Sequence, residues 1–506
     1  MNEKKLEIKP LIISIFIISI CSIVYELIIA GTSTYLLGNS IKQFSITIGL
    51  YMSAMGVGSY LSKYIKKNLF DFFITIELSI GFIGGLSALI LFVTYAKTDF
   101  YVPMMYLIII IIGIFVGLEI PILTRMIEKY NKDLRVTLAN VLSFDYIGGL
   151  IGSVGFPMIL YPHLGLIRTS FLMGALNIAV AGMILFRYKE FITKVKFFKG
   201  LFGVFMVVTI FGLVTGDITA DNIEKQLYRD QIIFKTQTQY QKIVMTRHKD
   251  DIRVFLDGNI QFSSIDEYRY HEALVHPIMS SLEKPRNVLV LGGGDGLALR
   301  EIFKYPSVKK IDLVDIDQEM VEFCRDNELI KEINKGSLED ARVSLHYEDA
   351  FKFLEKSEEV YDAVIVDLPD PNNESLNKLY TDVFYRLIGN HLSSQGKFVV
   401  QSTSPYYATK AFWCINKTIT EEEFKVIPYH LEVPSFGDWG FQLASKEDFN
   451  LKSIDIKVHT EYLIDSSIGK MMVFGKDEIV DMMSIESNKI FRPILLTYYE
   501  EAESKY

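Results

Sequence analysis

The chain has 506 residues, enough for two or more domains. Half of the residues are hydrophobic, and 61 acidic against 52 basic residues give a net charge of -9. This acidic balance argues against nucleic acid as a partner, because a nucleic-acid-binding protein normally carries a basic face, and it weakly favours cationic ligands. The three cysteines, Cys21, Cys324 and Cys414, are far apart and form no CxxC pair, so neither a disulfide framework nor a zinc site is predicted.

Apolar residues are concentrated in the first 216 positions. Seven apolar runs each approach the ~20 residues that a helix needs to cross a bilayer core. The first run lacks a clear small-residue cleavage site and is followed by further runs, which favours an uncleaved helix over a signal peptide. We therefore predict a seven-span helical membrane domain over residues 1–216 and a linker over 217–230. The predicted spans are 11–30, 43–62, 71–96, 101–124, 137–161, 168–186 and 199–216.

Basic residues are frequent in alternate connecting segments of this domain and rare in the others. By the positive-inside rule, the pattern indicates a multi-pass protein of the cell membrane with a cytoplasmic N-terminus. Seven crossings would place everything after Gly216 on the opposite face, unless the Lys199–Gly216 segment lies in the membrane interface. The face that carries the second half of the chain therefore stays open. The basic residues are Lys4, Lys5, Lys9, Lys63, Lys66, Lys67, Arg125, Lys129, Lys132, Arg135, Arg187, Lys189, Lys194, Lys196 and Lys199.

Four acidic residues fall within the predicted spans: Glu26, Glu77, Glu119 and Asp145. Carboxylates at such positions usually face a bundle interior or a water-filled cavity. They indicate either a pathway for cations or polyamines, or hydrogen bonds between helices, or a position near the membrane interface. The small residues of Tyr146–Pro157, "YIGGLIGSVGFP", favour tight helix packing.

The second half of the chain has ordinary mixed composition. Short alternating strands with a hairpin turn at Asp257-Gly258, followed by a helix, predict a small β-subdomain over 231–284. Strands and helices then alternate over 285–450, which predicts a doubly wound, mainly parallel, Rossmann-like sheet. The extension over 451–506 has no motif that we can interpret. The predicted elements of the sheet domain are strands 287–291, 310–315, 342–346, 361–367 and 396–401, and helices 297–305, 317–326, 349–355 and 376–390.

A glycine loop follows the first strand of this sheet, in "VLVLGGGDG". Gly292, Gly294 and Gly296 allow a ligand to approach the start of the next helix without a Cβ in the way. Asp315 ends the next strand about 20 residues later, the spacing of an acid that binds a ribose. Asp349 ends the strand after that, where an adenine amino group could be bound. Alternatively, these strand-end acids only cap helices.

Asp295 lies inside the glycine turn and bears on which nucleoside binds. Its charge would repel the pyrophosphate of a dinucleotide, and equally the carboxylate of S-adenosylmethionine. A ligand with a cationic amine at this place would be attracted, and decarboxylated S-adenosylmethionine meets that requirement. The alternative is that Asp295 serves only as a helix cap.

A second pair of acids stands at the end of the fourth predicted strand and just after it, in "VIVDLPDP". Asp367 and Asp370 would stand at the rim where such sheets bind ligands. Two neighbouring carboxylates suit a diamine, because one can hold an ammonium group while the other takes the proton of the attacking nitrogen. The alternative is a structural turn with a capping acid.

Together these motifs resemble the spermidine synthase family of aminopropyltransferases, and the apolar spans resemble its membrane-fused branch. The resemblance implies a Rossmann-like fold of the class I methyltransferase type and transfer of an aminopropyl group from decarboxylated S-adenosylmethionine to putrescine, giving spermidine and methylthioadenosine. It implies no prosthetic group and no metal, and a homodimer through the catalytic domain. The residues that carry it are "YQKIV", "LDGNIQFSSIDEYRYHE", "LGGGDG", "VDID", "EDA", "DLPDP" and "VPSFGDWGF".

The resemblance also implies a role for each matching residue. Asp367 is the catalytic base, and the other residues bind the two substrates. Gln241, Gly292 and Gly294 contact the nucleoside, Asp315 binds both ribose hydroxyls, Asp349 and Ala350 recognise adenine, Tyr270 and His271 line the amine channel, Asp295 holds an amine, and Asp370 orients the acceptor.

The sequence departs from the family at two places that line the amine pocket. Asn372, Asn373 and Glu374 replace a Gly-Pro pair that often follows the aspartates, and Val433 replaces a tyrosine. These changes leave the acceptor open, with putrescine as the default. Two other functions stay open as well: an S-adenosylmethionine-dependent methyltransferase of the same fold, and a polyamine transporter with an attached sensing or synthesis domain.

Overall fold

The computed structural model describes residues 8–37, 40–98, 100–128, 134–228 and 230–503. The chain divides into two compact units, Met1–Arg229 and Asp230–Tyr506. The last helix of the first unit runs from Val195 to Leu227. Most of the predicted linker 217–230 is therefore helical, because no proline after Gly216 ends the helix.

In the described part of the first unit, six helices are long and apolar enough to cross a membrane, by length and composition. We predicted seven spans; the fifth and sixth lie in one helical run, Arg135–Arg187, of 53 residues. A straight helix of this many residues would be about 80 Å long, more than twice the ~30 Å bilayer core, but non-helical backbone interrupts the run at Gly165. Lys4, Lys5, Lys129 and Lys132, which helped to predict the orientation, lie outside the described residues. The helices are α1 (Lys9–Leu37), α2 (Ser40–Leu61), α3 (Leu69–Lys97), α4 (Tyr101–Glu128), α5 (Leu134–Gly155), α6 (Tyr161–Arg187) and α7 (Val195–Leu227).

Small residues bring helix α5 close to α1, as their spacing predicted. A Cβ on Gly148 would lie 2.6 Å from the carbonyl oxygen of Phe16, and one on Gly152 would lie 2.9 Å from that of Ile20. Neither helix could approach the other this closely with a larger side chain at these positions. The interpretation of this stretch as a packing surface is confirmed.

Two of the four acids within the predicted spans are completely buried in the first unit. The side chains of Glu77 on α3 and Glu119 on α4 are 0% and 1% exposed. The amide of Asn177 on α6 donates to Glu77 at 2.8 Å, which is a hydrogen bond between helices. Among the described residues, one oxygen of each glutamate nevertheless has no hydrogen-bond partner. The other two acids, Glu26 and Asp145, are only partly buried.

The second unit begins with a four-stranded antiparallel sheet in the order β1-β2-β3-β4. Its last two strands are joined by Asp257 and Gly258, which both have positive φ, 48° and 87°. This is the backbone of a two-residue type I′ hairpin, so the predicted turn is confirmed. The strands are β1 (Gln231–Gln237), β2 (Lys242–His248), β3 (Asp251–Leu256) and β4 (Asn259–Ser263), and the predicted helix follows as α8 (Glu267–Ser280).

A seven-stranded sheet in the order β10-β11-β9-β8-β5-β6-β7 forms the centre of the second unit. Strands β9, β8, β5, β6 and β7 are parallel, as predicted, and the antiparallel hairpin β10-β11 extends one edge. The strand order reverses at β5, between its neighbours β6 and β8. The carboxyl ends of strands at such a switch point form the usual ligand crevice. The strands are β5 (Asn287–Gly292), β6 (Lys310–Asp315), β7 (Val343–Tyr347), β8 (Tyr361–Asp367), β9 (Leu392–Gln401), β10 (Lys425–Val433) and β11 (Gly437–Ser445).

Helices cover this sheet, and the last of them ends at Glu503. The helix predicted over 376–390 is wrong as one element, because a short 3-10 turn, Lys378–Tyr380, separates two helices there. The extension over 451–506 belongs to the second unit, and its described residues, up to Glu503, contribute two α-helices of their own. The helices are α9 (Leu297–Ile302), α10 (Gln318–Asp326), α11 (Glu328–Asn334), α12 (Ala350–Lys356), α13 (Glu374–Asn377), α14 (Asp382–Asn390), α15 (Thr409–Glu421), α16 (Asp465–Met471) and α17 (Ile494–Glu503).

Candidate active site

The glycine loop packs directly against the end of the neighbouring strand β8. Gly292 is paired with Asp367 across β5 and β8, and its φ is 81°. A Cβ on Gly292 would lie only 2.1 Å from the carbonyl oxygen of Asp367. The amide of Gly293 donates to the same oxygen at 3.1 Å. Glycine is therefore required here because two backbones meet, and this contact fixes Asp367 beside the loop.

Asp315 lies on the other side of the loop, at the end of β6. Its Oδ2 accepts a hydrogen bond from the amide of Gly294 at 3.2 Å, and its Oδ1 accepts one from the amide of Asp317 at 2.9 Å. A Cβ on Gly294 would lie 2.6 Å from Oδ2. Burial raises the pKa of Asp315 to about 6. Each oxygen keeps acceptor capacity, as binding of two ribose hydroxyls requires.

Gln241 reaches the site through a residue to which we assigned no role. Its Nε2 donates to Oδ2 of Asp317 at 2.9 Å, and the hydroxyl of Thr238 donates to the same oxygen at 2.7 Å. The other oxygen of Asp317 accepts from the amide of Met320 and caps α10. Asp317 is part of the motif "VDID", so the sequence could have indicated it as a site residue. Its position just before a helix, however, is typical of a simple N-cap.

Asp295 does form the capping contact that was the alternative to ligand binding. Its Oδ1 accepts a hydrogen bond from the amide of Leu297 at 2.9 Å, at the start of α9. Among the described residues, its Oδ2 accepts none. Burial raises the pKa of Asp295, although the nearby charge of His271 opposes the shift. Capping with one oxygen therefore leaves the other oxygen for a ligand.

The candidate base Asp367 is held by a tyrosine. The hydroxyl of Tyr270, on α8, donates to Oδ1 of Asp367 at 2.6 Å, and the Tyr270 side chain is 9% exposed. Burial raises the pKa of Asp367 to about 6, while the charge of His271 and the Tyr270 hydrogen bond act against this rise. A carboxyl group with a pKa near 6 is largely deprotonated at neutral pH, and its carboxylate can accept a proton.

His271 is buried beside Asp367 and is fixed by an acid that we did not single out. Its Nδ1 lies 2.8 Å from Oε2 of Glu267, which also binds the Arg300 guanidinium through both oxygens. Burial alone would lower the pKa of His271, but the hydrogen bond to Glu267 and the charges of Glu267 and Asp295 raise it to about 9. A His271 that is protonated at neutral pH holds its proton and leaves Asp367 to act as the base.

Asp370 is surrounded by donors from β9, the loop after it and the C-terminal extension. The hydroxyls of Thr403 and Tyr499 donate to its Oδ2 at 3.1 and 2.9 Å. The side-chain amide of Gln401 donates to its Oδ1 at 3.3 Å. The indole of Trp439 in turn donates to Gln401 at 3.2 Å. Burial raises the pKa of Asp370, and these hydrogen bonds oppose the shift. No motif in the sequence indicated Tyr499.

Asp349 caps the helix that follows it. Its Oδ1 accepts hydrogen bonds from the amides of Phe351 and Lys352 at 2.9 and 3.3 Å, and its Oδ2 pairs with Lys378. Burial would raise the pKa of Asp349, but Lys378 brings it below the ordinary value. Ala350 is 6% exposed and begins α12, where a backbone N–H lacks an intrahelical partner. The contacts of Asp349 are therefore those of a helix cap, and recognition of adenine by Asp349 and Ala350 stays a prediction.

Two groups of three residues in the described chain have spacings that a metal ion could use: Glu272, His276 and Glu301, and His430, Asp438 and Glu478. In the first group the carboxylate of Glu272 accepts hydrogen bonds from the backbone amides of residues 461–463, and both ring nitrogens of His276 have hydrogen-bond partners. In the second group both nitrogens of His430 are also hydrogen-bonded. The contacts of Glu272 and His430 attach the C-terminal extension to the rest of the second unit, and each group therefore has a structural role.

Comparison with known proteins gives a consistent set of relatives. A family model described as spermine/spermidine synthase domain matches residues 267–457. The polyamine aminopropyltransferase of Oceanobacillus iheyensis is 43% identical over 514 residues, which cover 100% of both chains. That of Leptospira interrogans is 41% identical and covers 97% of this chain and 98% of its own. A solved structure of spermidine synthase from Thermotoga maritima is 26% identical, with a TM-score of 0.45, and covers 48% of this chain and 85% of that one.

Proposed function

The chain belongs to the spermidine synthase family of polyamine aminopropyltransferases, and from this premise we propose that it transfers the aminopropyl group of decarboxylated S-adenosylmethionine to putrescine. The products are spermidine and methylthioadenosine. Aminopropyl transfer is the activity of the family; the two substrates and the residues that bind them are our assignment for this chain.

One observation carries the assignment of the co-substrate. Asp295 places a carboxylate in the glycine turn, and among the described residues its Oδ2 accepts no hydrogen bond. An ammonium group at this position would be attracted, whereas the carboxylate of S-adenosylmethionine would be repelled. This preference also disfavours the methyltransferase alternative.

The reaction that fits these side chains is an in-line displacement. The unprotonated amine of the acceptor attacks the carbon next to the sulfonium, the C–S bond breaks, and its electron pair stays on sulfur. The amine proton passes to Asp367, whose Oδ1 is held by Tyr270 at 2.6 Å. Methylthioadenosine leaves as a neutral molecule, so no general acid is needed. Much of the rate gain comes from holding both substrates in line.

The acceptor is assigned from Asp367, which ends β8, and Asp370, which follows it in the next loop. Asp367 takes the proton of the attacking nitrogen, and Asp370 holds the second ammonium group of the diamine. Purified protein supplied with either nucleoside and with putrescine tests the whole proposal. We expect methylthioadenosine and spermidine only from the decarboxylated nucleoside. A methylated product without methylthioadenosine would reject the proposal.

We further propose that the first unit lies in the cell membrane, with the N-terminus in the cytoplasm, and that two chains pair through their second units. The apolar lengths of six helices support the membrane assignment, and the family resemblance alone supports the dimer. A reporter that works on only one side of the membrane, fused after Tyr506, identifies the membrane face that carries the second unit. We expect a cytoplasmic signal because the nucleoside is a cytosolic metabolite; an external signal would refute this placement.

A further inference from the structure

The C-terminal helix reaches the acceptor end of the candidate site. Helix α17, Ile494–Glu503, lies beyond residue 457, where the match to the family domain ends. Its Tyr499 is partly buried, and the hydroxyl donates to Oδ2 of Asp370 at 2.9 Å. Burial and the charge of Asp370 raise the pKa of Tyr499, so the phenol stays protonated and acts as the donor.

A buried asparagine fixes the start of this helix. The side chain of Asn488 is 0% exposed, and its Nδ2 donates to the carbonyl oxygen of Tyr380 at 3.0 Å. Its Oδ1 accepts from the amide of Leu495 at 3.3 Å, in the first turn of α17. The hydroxyl of Tyr380 donates to the carbonyl oxygen of Pro369, next to Asp370. The same tyrosine therefore contacts both the loop that carries Asp370 and the residue that anchors α17.

The hydrogen bonds of Asp370 are unevenly divided between its two oxygens. A carboxylate oxygen has two acceptor positions, and those of Oδ2 are taken by Thr403 and Tyr499. Among the described residues, Oδ1 accepts one hydrogen bond, a long one of 3.3 Å from the side-chain amide of Gln401. Oδ1 thus keeps the capacity for one strong donor, while the two hydroxyls restrict rotation of the carboxylate.

We propose that Tyr499 is a positioning residue for the acceptor: its hydroxyl fixes the carboxylate of Asp370 so that Oδ1 can bind an ammonium group of the diamine. This inference rests on the proposed function, because it takes the acceptor to be a diamine held by Asp370. The C-terminal extension is then a part of the acceptor site rather than an appendage. It acts through Asp370 and takes no part in bond making or breaking.

A pair of tyrosine variants on the same helix tests the inference. Tyr499→Phe removes only the hydroxyl that binds Asp370. Tyr498→Phe is the matched control, because the hydroxyl of Tyr498 instead accepts a hydrogen bond from the backbone amide of Glu486 at 3.2 Å. Full-length protein in detergent is assayed for methylthioadenosine release, with putrescine varied at saturating decarboxylated S-adenosylmethionine, and then with the nucleoside varied at saturating putrescine.

We expect Tyr499→Phe to raise the KM for putrescine about tenfold, the size expected for a lost hydrogen bond to a carboxylate. The KM for the nucleoside and the kcat should stay within about twofold of wild type, and Tyr498→Phe should match wild type throughout. An unchanged KM for putrescine in Tyr499→Phe, or equal effects of both variants, would overturn the inference. A wild-type protein that releases no methylthioadenosine with putrescine would instead overturn the proposed function.

Discussion

Replacing Asp367 by asparagine should remove the base while leaving the site intact. Asparagine has the same shape, and its carbonyl oxygen can still accept the hydrogen bond from Tyr270 that Oδ1 accepts at 2.6 Å. His271, with its pKa raised to about 9, is already protonated and cannot take over. The loss should therefore be that of a general base, about 10²–10⁴-fold in kcat, or roughly 3–5 kcal/mol in the barrier.

The assay for this variant follows methylthioadenosine in single turnovers between pH 5 and 9, with nucleoside binding measured by calorimetry. Burial raises the pKa of Asp367 to about 6, and the base works only when deprotonated, so the wild-type rate should fall as the pH drops through about 6. Asp367→Asn should lose this acid limb and bind the nucleoside normally. Asp362→Asn is the control, because Asp362 lies on the same strand and binds the amide of Arg286. Unchanged turnover in Asp367→Asn, or an equal loss in the control, would refute the assignment of the base.

Three further outcomes are expected. Asp295→Asn should reduce the preference for decarboxylated over ordinary S-adenosylmethionine by about tenfold or more, because a like charge facing a carboxylate costs several kcal/mol; calorimetry showing an unchanged ratio would contradict this. Gly294→Ala should weaken nucleoside binding, since its Cβ would lie 2.6 Å from an oxygen of Asp315, whereas Gly469→Ala, which meets nothing within 4 Å, should not. Glu77→Gln should leave the transfer rate in detergent unchanged, and a lost rate would mean that this buried acid of the first unit serves the reaction.

Part of the site could be predicted because its signals are local in the sequence. The glycine loop and Asp315 belong to one strand–loop–helix–strand unit, and the parallel sheet brings its strand ends to one edge. Asp367 could be placed there as well, since β8 ends at it and pairs with β5. The sequence did not determine the role of Asp295, because one carboxylate can cap a helix and still keep an oxygen for a ligand.

Other partners could not be predicted, because they come from distant parts of the chain. Glu267 stands four residues before His271 on helix α8, but nothing in "SIDEYRYHE" indicates that folding places the distant Arg300 against it. Asp317 resembles a simple helix cap until folding brings Gln241, in the loop between β1 and β2, against it. Pairs that are far apart in sequence leave no spacing signal that could be detected from one chain.

The sequence by itself determined the apolar first half, the alternation of strands and helices in the second, and the acids at the strand ends, because hydrophobic periodicity and turn residues act over short distances. Only the tertiary structure decided which oxygens of those acids remain available to a ligand. It also brought Tyr499, from an extension without any recognisable motif, to Asp370, because a hydrogen bond depends on where two atoms lie in space and not on their separation along the chain.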